Sequence, residues 1–298
     1  MRLTGICALV ALVWLAAGTG AGLWAQAELF SPGLSVGTTG DATSAIIAKK
    51  AMFGDAILLH GILLQMSLPL AACFALGLAL LGAQRRWLAA SLAAVIALAL
   101  SAIVPGVLFV YLRQFTVGVA IGASPILIAV SLIGVVAAGM SASGGRIAVV
   151  MGGLAGALPL AIAGVMQAII ANARIEHALQ DTYFNLARDH AAGLSLAFWS
   201  FAVLMAWAGR DRPARLISLA LPILAVALVS GVCLVLAEAR LGLLGMPRRY
   251  IDYADFFFPL QRLASWTGFG LAFSFAAGAG LLLFLKFGPR PQASDAFS

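Results

Sequence analysis

Two histidines fall inside apolar stretches of this sequence: His60, about eight residues into 52–82, and His190, about seven residues into 183–208. An ionisable side chain within a membrane helix is costly to keep there, so each is a candidate for function. If both stretches are helices entering from one membrane face, a rise of ~1.5 Å per residue sets both imidazoles roughly 10–13 Å deep. Two imidazoles at one depth on different helices can clamp a flat ligand between them. Bis-histidine ligation of iron gives a six-coordinate, low-spin heme suited to electron transfer rather than oxygen binding. Depth alone leaves the plainer alternative open, in which each imidazole bonds a backbone carbonyl or lines a contact between helices.

A second group of interest is the pair Arg248-Arg249, in the connection before the last apolar stretch. Paired guanidinium groups offer fixed forks of donors and permanent charge, which suit carboxylates. The alternative is a solvated pair neutralised by Asp252 and Asp255. His177 reads as a loop imidazole near Glu176 and Asp181. Asp55 and Asp189 lie near helix ends, where water reaches them, and Asp189 can pair locally with Arg188. Cys7, Cys73 and Cys233 lie in separate apolar segments with no CxxC spacing, so they read as small buried residues rather than as a disulfide or a metal site.

The elements that must carry these residues follow from composition. The 298 residues are 63% hydrophobic and 10% charged, against roughly 25% charged for a soluble domain. Such a chain lacks the polar surface to coat a globule in water. Its unbroken apolar runs are long enough to cross a hydrocarbon core of ~30 Å as helices, which satisfy their own backbone there. The expected fold is all-α, a polytopic transmembrane bundle of about eight helices at 3–25, 52–82, 87–112, 116–140, 146–171, 183–208, 214–239 and 263–287. Residues 1–287 form one domain in this reading, and 288–298 a disordered cytoplasmic tail. The first stretch is longer than a signal-peptide core and reads as a retained helix.

Orientation is not decided by positive charge, because the 18 Lys and Arg divide evenly between the two faces. Only Asp211 and Asp295 of the 11 acids fall on the side that carries both termini. That side is taken as the cytoplasm, in a bacterial inner membrane. The formal charge of +7 is scattered among the connections and forms no basic stripe, so a nucleic-acid partner is not expected.

Several segments together resemble subunit I of the heme-copper (cytochrome c) oxidases. GMPRRYIDYADFF at 245–257 is similar to the motif before that family's last helix. QDTYFNLARDHAAGLS at 180–195 resembles the segment opening the helix that bears ligands to both hemes. HGILLQMSLPLAACFALG at 60–77 resembles its second helix, and GTGAGLWAQAELFSPG at 18–33 more distantly the end of its first. The resemblance implies that His60 and His190 are the axial ligands of the low-spin heme iron, and that Arg248 and Arg249 hold its propionates.

The departures from the family define what else is expected. Arg188 stands where the family has the proximal ligand of the high-spin heme, and a guanidinium has no lone pair for iron. With three histidines in the whole chain, the family's copper site cannot be assembled, so no copper is expected. The simplest alignment omits the middle helices that carry the copper ligands. Gln26 aligns with an arginine that contacts the heme formyl group in many members, which favours b-type over a-type heme.

The resemblance thus implies a shortened, degenerate member: a membrane cytochrome with one low-spin heme for electron transport. Its partners would be the lipid bilayer and a quinol, a cytochrome or a respiratory subunit. Oxygen reduction by this chain alone is not expected. The alternative from another class is a heme-free scaffold or assembly factor for an oxidase complex. A transporter finds no support, since no pair of broken helices recurs in matching halves.

Overall fold

A computed structural model describes residues 3–30, 146–171, 178–179, 182–247 and 255–289. The described elements are helices: α1 (Leu3–Phe30), α2 (Arg146–Ile170), α3 (Tyr183–Ala208), the single turn α4 (Ala214–Ile217), α5 (Ala220–Leu243) and α6 (Phe258–Phe287), the last preceded by a 3₁₀ turn at Asp255–Phe257. Among the described residues four spans are long and apolar enough to cross a membrane: Arg146–Ile170, Tyr183–Ala208, Ala214–Leu243 and Asp255–Phe287. The chain is therefore all-helical over the described residues and built for a bilayer. The expected helices at 52–82, 87–112 and 116–140 lie outside the described residues.

Local chemistry sets the ends of these helices. Thr182 caps α3: its Oγ1 accepts from Phe184 N at 3.3 Å and donates to Leu179 O at 2.8 Å. At the far end Gly209 N returns to Met205 O at 2.8 Å, and the turn through Arg212 to Pro213 follows. The stretch expected as one helix over 214–239 is divided into α4 and α5. Pro222 is the cause, for it has no N–H to give the Ser218 carbonyl. In the first turn of α5 that missing donor costs nothing. The last helix starts at Phe258, earlier than the expected 263, because Pro259 occupies its first turn.

The centre of the described bundle is α3. Of its most apolar 18 residues 83% are buried, against 39%, 33% and 44% for the corresponding windows of the other three spans. Trp199, Phe198 and Phe201 are fully enclosed. Helix α2 packs on one side of α3 and α5 on another; α6 packs against α5, and α1 against α6. The α2–α3 contact is close because Gly152 lies against Ala202, and a Cβ at Gly156 would overlap the Trp199 indole. The indole uses that closeness to donate from Nε1 to Gly153 O at 2.9 Å. Small residues four apart are how membrane helices approach, since lipid removes the hydrophobic drive between them. The faces turned outward are apolar too, with Ile147, Leu154 and Val165 on α2, Val226 and Val229 on α5, and Trp266 and Phe273 on α6.

Candidate functional site

The N-terminal end of α3 and the C-terminal end of α5 meet, and their junction positions His190. Helix α5 closes on Gly245, whose φ of 83° is the left-handed conformation that ends many helices. Gly245 N bonds Gly242 O and Met246 N bonds Leu241 O, both at 3.0 Å, while Met246 and Leu241 are buried together with Phe257. This is the paired closure of a Schellman motif with its apolar contact. The chain then runs antiparallel to the start of α3: Thr182 bridges Pro247, and Tyr183 N donates to Met246 O at 3.1 Å. Beside that bridge Gly242 abuts the backbone of Phe184 so closely that a Cβ would strike Phe184 N. About three turns away along α5, Gly231 receives the Leu194 side chain. The two helices are thus locked in register above and below His190.

In that register the His190 Nδ1 lies 2.7 Å from Glu238 Oε2. The Glu238 side chain is 6% exposed and the His190 side chain 25%. With Glu238 as a carboxylate, Nδ1 carries the proton and donates, which leaves Nε2 as the nitrogen through which this imidazole would bind a metal. A histidine whose Nδ1–H is held by a carboxylate is the arrangement metal-ligating imidazoles commonly adopt, because it fixes ring and tautomer together. The donor set at His190 therefore fits an axial ligand to iron.

Glu238 was not singled out by the sequence reading, which grouped it with the acids of the outer face. The signal was present: an acid one residue inside the expected end of an apolar span, four residues before Gly242. Its burial comes from the close approach of α3, which only the packing reveals.

Arg188 turns to the other side of α3. Its Nε and Nη2 donate to Asp189 Oδ1 at 3.0 and 2.6 Å, and its Nη1 donates to Gln167 Oε1 of α2 at 3.0 Å. The local Arg188–Asp189 pair expected from the sequence is present. Two residues on a helix are separated by ~200°, so positions 188 and 190 address different neighbours.

His60, Arg248, Arg249 and His177 lie outside the described residues. The structure does place Pro247, the residue preceding the two arginines, beside the N-terminus of α3. His190 is seven residues further along that helix, about 10 Å away. Gln26 belongs to α1.

No protein-family model matches the chain, and no curated protein matches it either. The resemblance drawn above accordingly stands on the motifs themselves.

Proposed function

We propose that this chain is a membrane cytochrome, a shortened relative of heme-copper oxidase subunit I that holds one low-spin heme between His60 and His190. The observation that carries the reading is His190 itself: an imidazole within a membrane-spanning helix, held at Nδ1 by the buried carboxylate of Glu238. In this reading the bundle has about eight helices, both termini are cytoplasmic, and the membrane is a bacterial inner membrane. His60 and His190 supply the axial nitrogens. Arg248 and Arg249 follow directly on the segment docked at the start of α3 and hold the propionates. Bound heme would supply reversible one-electron chemistry. The chain's own part is to supply both ligands, neutralise the propionates and exclude water with the aromatic body of α3. Arg188, engaged with Asp189 and Gln167, is not a ligand, and no second heme or copper belongs to the proposal. The electron partners are a quinol, a cytochrome or a respiratory subunit at the outer face, and Gln26 favours heme b.

A reduced-minus-oxidised optical spectrum of the purified protein tests this. The expected result is a six-coordinate, low-spin heme lost in His60→Ala and in His190→Ala, and kept in Arg188→Ala. Protein that folds without heme, or heme indifferent to both histidine changes, would sink the proposal. A specific observation sustains one rival: the His190–Glu238 bond also gives the buried Glu238 carboxylate a partner with no heme bound. A heme-free scaffold for an oxidase complex would use the pair that way. Unchanged recovery of an oxidase complex with both histidines replaced, from heme-free protein, would select it.

A further inference from the structure

We infer that Glu238 is a positioning residue that sets the orientation and donor strength of the His190 ligand; this rests on the cytochrome reading above. Three features of the structure lead to it. First, a carboxylate within a membrane-spanning helix is expensive and persists where it has a task or a partner. Glu238 is 4% exposed and lies on the buried side of α5 with Leu234, Val235 and Leu241. Second, the contact is rigid. Phe184 against Gly242 on one side and Leu194 against Gly231 on the other prevent α3 and α5 from sliding past each other. The 2.7 Å separation of Nδ1 and Oε2 is therefore a property of the helix register, not of a flexible surface pair. Third, the bonded nitrogen is Nδ1, so in the cytochrome reading Nε2 is the nitrogen that would take the iron.

The electronic consequence has a definite sign. A carboxylate that accepts the Nδ1 proton makes the imidazole a more basic donor. A stronger donor stabilises ferric over ferrous iron, so Glu238 lowers the reduction potential of the bound heme. It also holds the ring in its binding rotamer before the heme arrives, which raises affinity.

The test uses the full-length chain in detergent, loaded with hemin, comparing wild type with Glu238→Gln and Glu238→Asp. Glu238→Gln keeps the size and an acceptor oxygen but removes the charge. It is expected to retain a low-spin spectrum, to shift the midpoint potential upward and to weaken hemin binding about ten- to a hundredfold. Glu238→Asp, with the charge kept on a shorter stem, is expected to recover part of both. Equal potential and equal affinity in wild type and folded Glu238→Gln would overturn the role of Glu238 and leave the cytochrome reading standing. Failure of wild-type protein to take up hemin would overturn both. A second measurement needs no change at Glu238: nitrogen NMR of ¹⁵N-histidine-labelled, hemin-free protein, with the His190 signals assigned by their loss in His190→Ala. The expected form has the proton on Nδ1 and none on Nε2. A neutral imidazole with its proton on Nε2 and none on Nδ1 would overturn the inference even if Glu238→Gln fails to fold.

Discussion

The guanidinium of Arg212 closes the C-terminal end of α6. It is 9% exposed, and it donates to the carbonyls of Leu285 and Gly288 at 2.6 Å and of Pro289 at 2.7 Å. These acceptors include carbonyls that a helix end leaves unpaired, and the positive charge meets the negative end of the helix dipole. Arg212→Ala is expected to destabilise the protein by about 3 kcal/mol, since charge-assisted bonds are lost and the buried Leu285 carbonyl loses this donor. Arg212→Lys should recover only part, because an ammonium cannot match three acceptors with a planar fork. Thermal unfolding in detergent measures both. At this scale the sequence was readable only where a residue was odd in its own neighbourhood. His190 stood out as an imidazole in an apolar run. Arg212 looked like an ordinary basic residue in a short turn, and Glu238 like an acid at a helix end. Their partners are Leu285 and His190, distant in sequence, and nothing local to either residue announces them.

Among the elements, α2 and α3 depend most on what is missing from a side chain. The Trp199 indole occupies the space that a Cβ at Gly156 would need, and its Nε1 reaches Gly153 O at 2.9 Å. Gly156→Val is expected to push the indole aside, break that bond and cost ~1–3 kcal/mol, the usual range for overpacking. Trp199 fluorescence and thermal unfolding would register the change together; an unaltered spectrum with unaltered stability would show that the helices separate freely there. The existence of α3 was legible to the residue, 183–208 expected against Tyr183–Ala208 observed, because Thr182 and Gly209 mark its ends. The α4–α5 break and the early start of α6 were not. Hydropathy sees an apolar run, whereas Pro222 and Pro259 act on hydrogen bonds that hydropathy does not weigh. The pairing of α3 with α5 was likewise hidden, since register depends on where Gly242 and Gly231 admit a neighbour.

For the bundle of described helices, an enclosed α3 among outward-facing apolar helices means that its solvent is lipid, and it can cross that lipid in either of two directions. The Lys and Arg split evenly, so the positive-inside rule does not decide, and the expected orientation rests on helix number and the uneven acids. The two ends of the α4–α5 span offer a direct test. Asp211 lies in the exposed turn before it, and Asp255 lies exposed beyond its far end. With Cys7, Cys73 and Cys233 changed to serine, single cysteines at Asp211→Cys and Asp255→Cys would be challenged by a membrane-impermeant maleimide on intact spheroplasts. Labelling at 255 and protection at 211 until the membrane is opened is the expected outcome. The reverse pattern would turn the bundle over and move the His190–Glu238 pair toward the cytoplasmic face, where the proposed electron partner would then have to lie. Equal labelling at both positions would mean that Ala214–Leu243 does not cross the bilayer, and the register that joins His190 to Glu238 would then have no membrane depth at all.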